Sequence, residues 1–151
     1  MIELIVFDLY GTLYCSRAGD TTRRNGLDIF LTANKDKKIA LATDDTRAGA
    51  LDVLKKQGID AYFHHIYGCE DMIRKGDKII KNIPGIAHDF NLSPSQILYL
   101  SDGANDYDTA LEAGVHFVHV PYYRKADEKF SFSLIDPEAI RGYLDLRGIN
   151  D

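Results

Sequence analysis

The sequence has no run of about 18 apolar residues, so no membrane-spanning helix is expected. It has two cysteines, Cys15 and Cys69, with neither a CxxC pair nor zinc-ligand spacing, and both are expected to be plain thiols of a cytoplasmic protein. The opening MIELIVFDLYGTL lacks a basic segment and is interrupted by Glu3 and Asp8, which argues against a signal peptide. Positive charge is not in excess. With 18 Lys and Arg against 23 Asp and Glu, the net charge of −5 argues against nucleic acid or a membrane surface as partner. It does not exclude a small anionic ligand, because a bound divalent cation reverses the local sign. There is also no internal repeat, low-complexity stretch or linker, so the 151 residues are expected to form one domain, 1–151.

What is present is an alternation of short apolar runs with amphipathic segments, the pattern of a parallel α/β sheet. Residues 2–7, 39–42, 61–67, 97–100 and 117–120 read as five strands. Helices are expected over about 26–35, 46–57 (stopped by Gly58), 77–90 (kinked or restarted at Pro84-Gly85), 106–113 (stopped by Gly114) and 136–147 (opened by Asp136-Pro137). The expected architecture is a doubly wound, Rossmann-like parallel sheet of about five strands flanked by helices, with ligands bound at the carboxyl ends of its strands.

Four polar clusters fall at that edge. In ILYLSDGANDYD, Asp102 ends a strand and Asp106 follows four residues later. With Asp8 of FDLYGTL these carboxylates would repel one another, and Mg²⁺ with oxygen ligands resolves the repulsion. The plainer alternative makes Asp106 a helix cap and Asp102 a turn residue. Asp8, directly after a buried strand, suits a nucleophile toward phosphorus, and Gly11 allows a sharp turn behind it. Thr43, with Asp44 beside it in LATDD, offers a hydroxyl and free backbone N–H groups to a phosphate. Lys75 in IRKGD would add a point charge, although a lone lysine equally suits a solvated surface. His64 and His65 lack ligand partners at useful spacing. Arg23 and Arg24 read as a solvated face rather than as anion contacts, while Tyr122, Tyr123 and Arg124 follow the fifth strand on the ligand edge.

Taken together, FDLYGTL, ALATDD, IYGCEDMIRKGD and ILYLSDGANDYDTALEAG resemble, in order, the four motifs of the haloacid dehalogenase-like hydrolase superfamily. The resemblance implies that Asp8 is the nucleophile. It implies that Asp8, the Tyr10 backbone carbonyl, Asp102 and Asp106 hold Mg²⁺, and that Thr43, Asp44, Gly11 and Lys75 form the phosphoryl site.

The chain departs from the family at Tyr10, where most phosphatases carry a second Asp that serves as general acid and base. The DxYGT form resembles the dehalogenases, but those carry a neutral residue at the place of Asp102 and work without metal. Asp44 stands where many relatives have Asn and Gly76 where many have Pro. Neither of the two usual insertion points has room for a cap domain, which implies a bulky substrate or a neighbouring subunit acting as lid in a homo-oligomer. Three functions remain open: a Mg²⁺-dependent phosphatase acting on a phosphorylated small molecule or phosphoprotein, with Asp8, Tyr10 and Lys75 as its catalytic residues; a non-catalytic phosphate-binding module; and a dehalogenase.

Overall fold

The computed structural model describes residues 1–14, 23–123 and 129–150. Cys15 and Arg124 lie outside the described residues. Six strands form one parallel sheet in the order β3-β2-β1-β6-β7-β8: β1 (Leu4–Phe7), β2 (Lys38–Ala42), β3 (His65–Tyr67), β6 (Ile97–Ser101), β7 (His116–His119) and β8 (Tyr143–Asp145). A separate antiparallel hairpin pairs β4 (Ile73–Lys75) with β5 (Lys78–Ile80). Among the described residues there are four α-helices: α1 (Leu27–Ala33), α2 (Arg47–Gln57), α3 (Ile83–Asp89) and α4 (Ala104–Ala113). None of the described helices is long and apolar enough to cross a membrane.

The period of two along each strand divides the core. Ile5, Phe7, Ile39, Leu41, Leu98 and Leu100 pack with Leu27 and Phe30 of α1 and Leu54 of α2. Leu4, Val6, Ala40, Ile97 and Tyr99 pack on the other face with Ile83 and Ile86 of α3 and Ala110 of α4. A sheet covered on both faces is why these strands read as continuous apolar runs. Phe7 is fully buried and meets Phe30, Phe63 and Phe132 edge-on at centroid distances of 5.8, 6.2 and 5.7 Å. Burial of such a side chain contributes about 1.5–3 kcal/mol, which fixes the strand that ends at Asp8.

Two expected helices are corrected. Residues 77–90 are not one helix. The segment first closes the hairpin through Gly76, whose φ of 65° suits the first position of a two-residue turn. The helix starts only at Ile83, where the Asn82 side chain accepts from the Gly85 N–H at 3.0 Å. Pro84 then sits in the first turn, where its missing N–H costs nothing. Near the C-terminus, Asp136-Pro137 does open a turn, but it is a single 3₁₀ turn over Pro137–Ala139. Gly142, with φ of 78°, breaks the path, its N–H goes to His116 Nδ1 at 2.7 Å, and β8 follows as a sixth parallel strand.

Candidate active site

From β1 the chain crosses to β2 on one side of the sheet, while β6 lies on the other. The crevice at the carboxyl ends of β1 and β6 is therefore the topological switch point, the place where such sheets bind ligands. Asp8 follows β1 and Asp102 follows β6. An open cleft of about 310 Å³ there is lined by Asp8, Tyr10, Asp44, Lys81, Asp102 and the first turn of α4.

The hydroxyl of buried Thr12 joins the two strand-end carboxylates. It accepts from the Asp102 backbone N–H at 3.0 Å and lies 2.8 Å from Asp102 Oδ1 and 3.2 Å from Asp8 Oδ2. One hydroxyl proton serves one acceptor at a time, and the shorter contact favours Asp102. His119, buried at the end of β7, donates from Nε2 to the Asp102 backbone carbonyl at 2.9 Å and holds this loop from below. Gly11 has φ of 79°, and a Cβ there would lie 2.7 Å from both Asp102 Oδ2 and the Tyr122 ring, so the turn behind Asp8 has no room for a side chain.

The lysine of the site is Lys81, not Lys75. Lys81 is only 5% exposed, with its ammonium 2.7 Å from Asp8 Oδ1 and 2.8 Å from Asp106 Oδ2. Lys75 is exposed on the hairpin and ion-paired with Glu112. The expected placement failed because the hairpin turns at Gly76 and carries Lys75 away, while Lys81 is delivered immediately before α3. A signal was present in Lys81-Asn82-Ile83-Pro84. The Asn and Pro mark a helix start, and a residue directly before it faces the carboxyl edge of the sheet.

Burial pushes the Asp8 carboxyl up to about 6; Lys81 opposes the rise, and the charges of Asp106 and Asp102 add to it. Burial alone would lower the Lys81 ammonium, but the Asp8 and Asp106 carboxylates override it and hold the group well above the usual lysine value. By formal count the Lys81 ammonium and the acidic side chains of Asp8, Asp102 and Asp106 carry a net charge of −2 between them. An all-oxygen donor set with that residual charge fits a hard divalent cation. Among the described residues no three acidic, His or Cys side chains close into a cage. Mg²⁺ does not require one, since it keeps waters and takes one or two carboxylates plus substrate oxygens. Asp8 and Asp102 are the better placed pair. Asp106 Oδ2 is already shared by Lys81 and the Ser101 hydroxyl, the latter at 2.6 Å.

Tyr10 lines the cleft, but its hydroxyl donates to Asp45 Oδ2 at 2.6 Å. Burial and the Asp45 acceptor raise this phenol above its ordinary value, so at neutral pH it stays protonated and tied to Asp45. Asp45 belongs to the polar cluster after β2 that the sequence places at this edge, but its bond to Tyr10 has no sequence signal. Thr43 is buried at the end of β2 and its hydroxyl accepts from the Asp45 N–H at 3.2 Å, while Asp44 is exposed at the rim. Arg24 is no solvated surface residue. Its guanidinium lies 4.5 Å from the Phe130 ring centroid and donates to the Gly11 and Thr12 carbonyls at 3.4 and 3.2 Å. Arg23 is half-buried and pairs with Asp28, and His64 and His65 are exposed.

A doubly wound sheet with an aspartate after its first strand and a lysine–carboxylate cluster at the switch point defines a class of α/β hydrolytic folds. The chain belongs to the haloacid dehalogenase-like hydrolase family, whose sequence profile matches residues 20–120. Among solved structures it is similar to a β-phosphoglucomutase from Clostridium difficile, with 16% identity, TM-score 0.69 and coverage of 91% of this chain and 95% of that one. It is also similar to a predicted phosphoglycolate phosphatase from Haemophilus somnus, with 20% identity, TM-score 0.65 and coverage of 95% and 93%. A third, the N-terminal part of a Bacteroides fragilis protein containing a phosphatase domain and complexed with Mg, has 15% identity and TM-score 0.63, and the match covers 80% of this chain and 36% of that one. A search of curated proteins finds no match. At these identities the structural likenesses establish the fold.

Proposed function

We propose that this chain is a capless, single-domain, Mg²⁺-dependent phosphohydrolase that works through an aspartyl phosphate on Asp8 and favours substrates with good leaving groups. The observation that carries the reading is the convergence of Asp8, Asp102 and the buried Lys81 at the switch point of the sheet. In the first step an Asp8 carboxylate oxygen attacks phosphorus, and the bond from phosphorus to the leaving oxygen breaks with its electron pair. In the second, water attacks the phosphoaspartate, releasing inorganic phosphate and restoring the carboxylate. Asp8, Asp102 and, through its backbone carbonyl, Tyr10 would hold Mg²⁺, which when bound would offset phosphoryl charge. Lys81 would hold a phosphoryl oxygen and Asp8 in one geometry, and Thr43 with the loop through Asp44 would receive the others. The solved relatives described as phosphatases, one with Mg, support the substrate class: a phosphorylated small molecule or phosphoprotein. The uncompensated carboxylates disfavour halide chemistry, which needs no metal. We place the protein in the cytoplasm, alone or as a homo-oligomer.

A screen of acyl, aryl and alkyl phosphates with and without Mg²⁺, with Asp8→Asn as control, tests the reading. Mg²⁺-dependent release of phosphate from acyl and aryl substrates, lost in the variant, is the expected result. Phosphate binding without turnover of any of them would favour the second reading, a non-catalytic phospho-ligand module, which the engaged Tyr10 hydroxyl supports.

A further inference from the structure

The hairpin β4–β5 is not part of the main sheet; its Lys75 is ion-paired with Glu112 of α4. Between hairpin and helix runs a groove of about 430 Å³, within the size range of small-molecule sites. Ile79, Ile80 and Lys78 form the hairpin wall, and Asn105 and Asp108 belong to the helix wall. Asn105, Asp108 and Glu112 fall on one face of α4 by their spacing, and the face runs about 10 Å from first to last. Asn105 also lines the carboxylate cleft, and Ile80 directly precedes Lys81, so the two spaces meet at the first turn of α4.

We propose that this groove receives the leaving-group portion of an aryl phosphate whose phosphoryl group sits at Asp8, an inference that rests on the phosphohydrolase reading. The chemistry of the walls selects the class. Lys75 and Glu112 neutralise each other, and the other two charged lining residues, Lys78 and Asp108, are of opposite sign, so the groove has no formal net charge to recruit an anionic or cationic tail. Ile79 is 60% exposed on a hairpin that no third strand supports among the described residues, and a flat ring laid against Ile79 and Ile80 removes that apolar surface from water. The Asn105 amide sits at the junction, where a ring substituent can pair with it. A phenolate also leaves without the acid that Tyr10 cannot supply, so the groove and the cleft select the same substrate.

Equilibrium titrations in Mg²⁺ with 2-naphthylmethylphosphonate, whose P–C bond gives no leaving oxygen, and with inorganic phosphate test this without turnover. The parent is expected to bind the aryl ligand at least about tenfold more tightly than inorganic phosphate. Asp108→Trp, which fills the groove from an exposed helix face, is expected to abolish that excess and leave inorganic phosphate affinity unchanged. Ile79→Ala, on the exposed hairpin, should reduce the excess in the same direction. Equal affinity for the two ligands in the parent overturns the groove proposal alone. So does an excess that survives Asp108→Trp. Failure of both ligands to bind overturns the phosphohydrolase reading with it.

Discussion

The hydroxyl of Tyr10 and the carboxylate of Asp45 are 2.6 Å apart, with the phenol as donor. The residue standing where most phosphatases of the family have their acid and base is thereby committed to a neighbour on the loop after β2.

Alkyl phosphates should therefore turn over more slowly than aryl and acyl phosphates by roughly 10²–10⁴, the usual contribution of a general acid–base residue. Tyr10→Asp should raise alkyl turnover more than aryl turnover. A leaving-group series on parent and variant measures both slopes; a flat series in the parent means that another group supplies the proton.

The two lysines should behave in opposite ways. Lys81→Met leaves the half-buried Asp8 and Asp106 carboxylates without their cation, which should cost up to about 3 kcal/mol of stability and at least roughly 10²-fold in acetyl phosphate turnover. Lys75→Ala removes one half of an exposed pair and should cost no more than about 1 kcal/mol, with acetyl phosphate turnover retained. Denaturant titrations and kinetics on both variants decide between the positions, and equal losses would return Lys75 to the site.

Mg²⁺ should stabilise the fold by mass action, by about 2.7 kcal/mol at a hundredfold excess over its dissociation constant. Thermal unfolding followed across a Mg²⁺ series should show a rising Tm in the parent and a much smaller rise in Asp102→Asn. An identical rise in both would mean that the cation binds elsewhere.

Acid should release a clasp far from the site. Glu138 accepts from Lys37 at 2.6 Å and from the Ile2 N–H at 3.1 Å, and Lys37 also donates to the Ile2 carbonyl at 2.7 Å. The Lys37 hydrogen bond, partly opposed by desolvation, holds the Glu138 carboxyl below the usual value of 4.5. A carboxyl lowered on folding contributes stability above its unfolded value and loses it as pH falls through the folded one. With Glu138 side chain 40% exposed, the screened contribution is about 0.5–1 kcal/mol. Glu138→Gln should show that deficit at neutral pH, and the two stability curves should merge in acid. Parallel curves across the whole range would remove Glu138 from the account.

How much of this was legible beforehand depended on whether local chemistry decides the outcome. The strands before Asp8, Thr43 and Asp102 were readable because a sheet buried on both faces demands continuous apolar runs. The ends of α2 and α4 were readable because Gly58 and Gly114 take positive φ. The hairpin was missed because Ile79, Ile80 and Ile83 also fit a helical period, and the Gly76-Asp77 turn outweighs that period only once α4 lies beside it. With the hairpin went the choice of lysine. Arg24 was misjudged for a related reason: nothing adjacent in sequence announces Phe130 and Phe132, and the rings that cover it come from a hundred residues downstream. Asp45 could be placed at the ligand edge from ALATDD, but its role could not be read, because it depends on which hydroxyl reaches it across the cleft.

The strands that bear Asp8 and Asp102 pair with each other in mid-sheet, Phe7 opposite Leu100, and each has two further strands between it and an open edge. Fraying begins at edges, so amide protons of β3 and β8 should exchange long before those of β1 and β6. The two carboxylates thus hang from the part of the molecule that opens last, and the protein can lose its margins to heat or denaturant while their spacing endures.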